Sequence, residues 1–140
     1  MYRGRDEALR VYGNKKRFYQ MKAEEWAEFE AEVLRCRADE GISEEYLARL
    51  EGDYERKKAE LARLREETIA ARRHMEDRLR RMDRQLCEVL YFKYVKMMSV
   101  TEICAKLCYS MQRIYQLLNK GVDVYCGVSE LTEEARMKNA

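Results

Sequence analysis

Proline is absent from the 140 residues, so no fixed φ angle or missing N–H interrupts a helix, and long helices are permitted. Only six glycines occur, none in the spacing that cradles phosphate, which removes a nucleotide-binding loop. There is a single histidine, His74, and no nucleophile stands beside a base, so hydrolytic and acid–base chemistry lack their residues. No Cys-x-x-Cys pair is present, and with it goes the commonest structural zinc signature. No apolar run approaches the roughly 20 residues that span a bilayer, and the opening MYRGRDEALR has no apolar leader core. A large excess of one charge is missing too, since 28 Lys and Arg face 26 Asp and Glu. These deficits predict a soluble, intracellular, non-enzymatic chain that needs no metal or cofactor.

What is present is the composition of long helices: 39% charged residues, 46% apolar residues, and a predominance of Ala, Glu, Lys, Leu and Arg. Five cysteines, an odd number without paired spacing, fit reduced thiols in a cytoplasm. Cys104 and Cys108 stand four apart, with Cys87 and Cys126 near in sequence, but small buried thiols explain them better than a metal site.

The chain predicts an all-α fold in three zones: a helical hairpin or oligomerisation arm over 1–83, a helix-turn-helix unit over 84–126, and a polar tail over 127–140. In the first arm, Tyr19, Trp26, Phe29, Val33 and Cys36 recur at helical spacing, as core rather than as a ligand cage. Gly13-Asn14 is expected to interrupt this helix, leaving the residues before Lys15 as a separate turn or frayed end. Glu40-Gly41-Ile42-Ser43 reads as the hairpin loop, with Gly41 at positive φ and Ser43 as the cap of the second arm. A short loop makes the two arms antiparallel neighbours. In the second arm Leu47, Leu50, Tyr54, Leu61, Leu64, Ala71, Met75 and Met82 follow a coiled-coil-like seam that Lys57, Thr68 and Arg78 break. Glu51/Glu55 and Arg63/Glu67 read as solvated outer faces, and His74 as solvent-facing.

Beyond Asp83 the charge density falls and aromatic and β-branched residues rise, as expected where a rod gives way to a globular unit. From Arg84 to Cys126 the cations Arg84, Lys93, Lys96, Lys106, Arg113 and Lys120 outnumber Glu88, Glu102 and Asp123. Three helices are expected. The first presents Leu86, Val89, Leu90 and Tyr94 on one face. Ser99-Val100-Thr101-Glu102 is a capping box that opens the second, which buries Val100, Ile103 and Leu107. Cys108-Tyr109 makes the turn, and Ser110 caps the third, with Ile114, Leu118 and Val122 inward. A small residue is needed after Ile103, where the third helix crosses closely, and Cys104 is small. Met111, Gln112, Arg113, Tyr115, Gln116, Asn119 and Lys120 are left outward. Gln pairs with adenine, Arg with guanine, and Met touches a thymine methyl. Gln112, Arg113, Gln116 and Tyr115 are therefore the candidate base contacts, and Ser110, Thr101, Lys96, Lys106 and Lys120 the candidate phosphate contacts. Tyr91, Phe92, Tyr109 and Tyr115 are placed to brace the unit.

The stretch VLYFKYVKMMSVTEICAKLCYSMQRI, residues 89–114, resembles region four of bacterial sigma factors, whose pattern is roughly V-L-x-L-R-Y-x-x-G-x-S-x-x-E-I-A-x-x-L-x-x-S-x-x-x-V. With its charged helical N-terminal part, the chain resembles the small sigma-like late transcriptional regulators of Gram-positive phages and prophages, the ArpU and RinA types. The resemblance implies promoter DNA binding, activation of late genes and contact with host RNA polymerase. Met97 replaces the turn glycine of the pattern, which makes positive φ costlier there. Gly121 replaces an alanine, and a helix continuing through it is expected.

Duplex DNA is thus the expected partner, with host RNA polymerase and a homodimer through the hairpin as further expectations, no membrane, and a cytoplasmic, nucleoid-associated location. Two other readings fit the same pattern: a small terminase-like DNA-packaging component, and a helical protein-interaction module without DNA binding.

Overall fold

The computed structural model describes residues 4–139, with side chains described for residues 4–127. The fold is all-α, with no strand among the described residues. The elements are α1 (Glu7–Ala38), α2 (Glu44–Leu79), α3 (Arg84–Leu90), α4 (Val100–Leu107) and α5 (Met111–Asn139). A π-helical turn, Tyr91–Val95, prolongs α3. The chain forms two compact units, residues 15–70 and a second unit that joins residues up to 14 with those from 71 onward. This partition falls elsewhere than position 83, because Leu9 and Tyr12 of α1 and Met75, Leu79 and Met82 at the end of α2 share one core with α3, α4 and α5.

Residues 15–70 are the hairpin. Val33, Leu50 and Leu64 are buried, and Tyr19, Trp26, Phe29, Cys36, Leu47, Tyr54 and Leu61 are half-buried, so the seam follows the sequence pattern. The Trp26 and Tyr54 rings meet with centroids 4.9 Å apart, and the Tyr54 hydroxyl donates to Glu30 at 3.2 Å. Two of the polar interruptions have partners here. Lys57 places its ammonium 4.2 Å from the centre of the Phe29 ring, and Thr68 Oγ1 donates back to the Leu64 carbonyl at 2.8 Å.

The loop differs from expectation in one respect. Gly41 does not adopt positive φ, a conformation that Gly4 alone shows among the described glycines. Its N–H instead donates to Asp39 Oδ1 at 2.9 Å, an Asx turn that needs no left-handed residue. Ser43 Oγ accepts from Tyr46 N at 3.2 Å and caps α2 as expected. Glu51 keeps a solvent-exposed side chain, as expected, and accepts both guanidinium bonds of Arg37, at 2.5 and 2.7 Å, across the hairpin. Glu55 is exposed, and Arg63 and Glu67 pair along α2 at 2.7 Å.

In the second unit Gly13-Asn14 does not interrupt α1, which runs unbroken from Glu7. Gly13 is buried, and a β-carbon on it would stand 3.1 Å from Met97 Cε. Burial, not flexibility, explains this glycine. Just before α1, Asp6 is 2% exposed and accepts from the Tyr94 hydroxyl at 2.6 Å. Its carbonyl takes the first helical N–H bonds, from Leu9 and Arg10. Arg78, the third interruption of the seam, donates to the Tyr125 carbonyl at 2.8 Å and lies 4.7 Å from that ring's centre. His74 is exposed, as expected. The polar tail is not a separate element, since α5 continues through Gly121 to Asn139. The side chains from residue 128 onward lie outside the described set.

Two outcomes are expected. Tyr94→Phe leaves a buried carboxylate without its donor and lowers stability by about 1–3 kcal/mol in urea unfolding. The Arg37 guanidinium holds the Glu51 carboxyl below its ordinary value, chiefly through the side-chain hydrogen bond. The pair therefore stabilises the hairpin above the ordinary carboxylate range, and this contribution is lost as pH falls through the lowered value. On acidification the melting temperature of the wild type should fall more steeply than that of Glu51→Gln.

Candidate nucleic-acid interface

Two caps and two left-handed residues build the bihelical turn. Ser99 Oγ accepts from Glu102 N at 3.2 Å, and Glu102 Oε1 accepts from Ser99 N at 3.3 Å, which completes the capping box. Met97, just before it, has φ 56°, so the turn keeps the left-handed geometry expected of glycine. Contact of the Met97 side chain with the surface above Gly13 accompanies that conformation. Cys108 ends α4 at φ 57° and ψ 37°. Ser110 then opens α5, its Oγ accepting from Arg113 N at 3.1 Å and its carbonyl from Ile114 N.

Packing sets the rotation of α5. Ile114, Leu118 and Val122 are fully buried, Tyr125 is nearly so, and Leu117 joins them. At Gly121 the helix crosses α3 so closely that a β-carbon would lie 3.1–3.3 Å from three carbons of Leu90. Val100 and Ile103 of α4 are buried beneath α5, whereas Leu107 and Cys104 are half-buried.

The opposite face is open. Met111, Gln112, Arg113, Gln116 and Lys120 are exposed. Gln112, Gln116 and Lys120 recur at steps of four and form one polar row along α5. Arg113 lies beside that row. Its guanidinium donates to Gln85 Oε1 at 3.4 Å, and Gln85 Nε2 donates to the Tyr109 hydroxyl at 3.4 Å. Tyr115 is half-buried and packs against the core, as do Tyr91, Phe92 and Tyr109. Asn119 is half-buried rather than outward, its Oδ1 enclosed without a hydrogen-bond donor.

The phosphate candidates fall into separate groups. Ser110 and Thr101 are exposed at the N-terminal ends of α5 and α4. Lys96 stands 5.7 Å from the centre of the Tyr91 ring and Lys106 stands 5.9 Å from that of Phe92, two rings that themselves meet edge-on. These lysines thus share one aromatic platform, and Lys120 belongs to the α5 row.

Gln85 escapes a reading of the helix-turn-helix alone because it lies outside that motif. The sequence signal for it is Asp83, whose Oδ2 caps α3 by accepting from Gln85 N at 3.2 Å and so exposes the first turn. The thiols are not uniformly buried: Cys108 and Cys126 are exposed, and Cys36, Cys87 and Cys104 are half-buried. Burial, with Glu88 adding to it, pushes the Cys87 thiol up, the opposite of what a ligand or nucleophile needs. Among the described residues no group of three His, Cys, Asp or Glu could hold a metal ion, and no helix is long and apolar enough to cross a membrane.

At Cys108 the strain is testable. Cys108→Gly should raise the melting temperature, relieving about 1 kcal/mol of left-handed cost, while Cys108→Val should lower it. Compared with known proteins, the chain matches no family model, no curated protein and no solved structure.

Proposed function

We propose that this chain is a sequence-specific duplex-DNA-binding transcription regulator that sets the first turns of α5 in the major groove. The observation that supports it is the division of α5 itself. Ile114, Leu117 and Leu118 are buried while Met111, Gln112, Arg113 and Gln116 stand exposed, on a helix opened by a capping serine after a tight turn. Such a surface offers bidentate amide and guanidinium groups to base edges, and the exposed hydroxyls of Thr101 and Ser110 reach for phosphate. Gln85 adds a function the motif alone does not carry: by accepting from Arg113 it holds the guanidinium ready at little entropic cost. Lys96, Lys106 and Lys120 supply the salt-dependent, sequence-independent part of the affinity.

The sigma-like pattern of residues 89–114 suggests promoters as the DNA target, late genes of a phage or prophage as the setting, and host RNA polymerase as a second partner. On this reading the protein is not an enzyme.

Selecting bound duplexes from a random pool and sequencing them tests the proposal directly, and a recovered consensus is the expected result. On that consensus Arg113→Ala should cost about 1–3 kcal/mol and relax preference at one position. Lys106→Ala should weaken all duplexes alike and reduce the slope of log affinity against log salt by about one. Recovery of an unenriched pool, or equal binding by wild type and Arg113→Ala, would count against the α5 face.

A further inference from the structure

The charges of α1 within the hairpin unit are segregated along its length. From Lys15 to Lys22 it carries Lys15, Lys16, Arg17 and Lys22 with no acid, and from Glu24 to Glu32 it carries Glu24, Glu25, Glu28, Glu30 and Glu32 with no base. Intramolecular pairs use part of this set: Lys15 reaches Glu67 at 3.8 Å and Lys22 reaches Glu25 at 3.4 Å. α2 carries both signs along its length and so does not mirror this division.

Beside the charge boundary lies a cavity of about 120 Å³, with Trp26, Phe29, Leu61 and Leu64 among its walls and Lys22 and Glu25 at its rim on α1. Lys57 and Glu60 close the rim on α2. One turn before Lys22, Phe18 is 45% exposed, and Met21 equally so. Thus a large exposed aromatic and an unfilled, aromatic-walled cavity of side-chain size lie within a few turns of each other on the same element.

We infer that α1 is a self-association surface, on which a second copy of this chain packs antiparallel and each copy inserts Phe18 into the Trp26–Phe29 cavity of the other. Antiparallel pairing about the midpoint between Lys22 and Glu25 sets Lys22 opposite Glu25 of the second copy. The same register sets Lys15 opposite Glu32, and Phe18 opposite Phe29. A parallel arrangement would face Lys15, Lys16 and Arg17 with their own copies, so charge selects the antiparallel form. Exchange of the weak internal Lys22–Glu25 pair of each copy for two intermolecular ones keeps all four groups partnered, and burial of Phe18 and Met21 supplies the apolar gain. This inference stands apart from the DNA reading and is tested without DNA.

Trp26 is the single tryptophan, and it lines the cavity, so the unaltered full-length protein reports on the interface. Sedimentation velocity across the micromolar range should show a monomer–dimer equilibrium, with a Trp26 emission change that follows the same concentration dependence. Phe18→Ala should weaken the dimer by at least about tenfold. Lys15→Glu/Lys22→Glu alone and Glu25→Lys/Glu32→Lys alone should each be monomeric while keeping the helical circular dichroism of the wild type. Mixed in equal amounts, these two variants should form a heterodimer, because each then meets the opposite charge. A wild type that stays monomeric at high micromolar concentration would overturn the inference. So would a dimer indifferent to Phe18→Ala and to the charge changes, or one whose formation leaves Trp26 emission unchanged.

Discussion

Leu90 meets α5 at Gly121, where a β-carbon would stand 3.1 Å from its Cγ, and this crossing fixes how α5 is turned about its own axis. With the glycine against α3, Leu117 and Leu118 one turn before it, the adjacent Val122, and Tyr125 one turn after it are drawn into the core. Each such burial is worth about 1.5–3 kcal/mol, so a rotation that brought Gln112 or Gln116 inward would forfeit several of them at once. The exposed polar row is therefore a consequence of the core and does not depend on the polar residues themselves. Helix propensity would favour alanine at 121, and packing overrides it.

A second constraint closes the same core from the far end of the chain. Asp6 is a buried carboxylate, and such a group is tolerated only with partners. The Tyr94 hydroxyl gives it one well-formed hydrogen bond, while Arg10 stands 3.2 Å from the other oxygen without an aligned N–H. The π-helical turn Tyr91–Val95 serves this contact. Its wider winding, with Lys96 N bonded to the Tyr91 carbonyl, lets neighbouring Tyr94 and Val95 both face inward.

The sequence made most of the architecture legible because helical periodicity, caps and loop chemistry are local signals. The hairpin arms, the Ser43 cap, the Ser99/Glu102 box, the Ser110 cap and the inward set of α5 all follow from spacing of a few residues. What escaped was non-local. Gly13 looks like a break until Met97, far along the chain, is seen to lie against it, and Gly41 looks left-handed until Asp39 is seen to make the turn. Asp6 has no local pattern at all, since its meaning lies in Tyr94. Lys57, Thr68 and Arg78 seemed defects in a seam, yet each has a partner, on Phe29, Leu64 and Tyr125 respectively. At the candidate interface the exposed Gln112, Arg113 and Gln116 were readable from phase alone, whereas Gln85 required knowing that α3 begins beside Tyr109.

The hairpin is an insertion between the two halves of the other unit. During synthesis the ribosome releases residues 15–70 as a continuous segment whose core residues lie within it, so this segment is free to fold early. Asp6, Leu9 and Tyr12 must wait, because the residues that bury them lie beyond position 71. α5 thus acquires its supporting core only after it has left the exit tunnel, whereas the hairpin is free to fold before that.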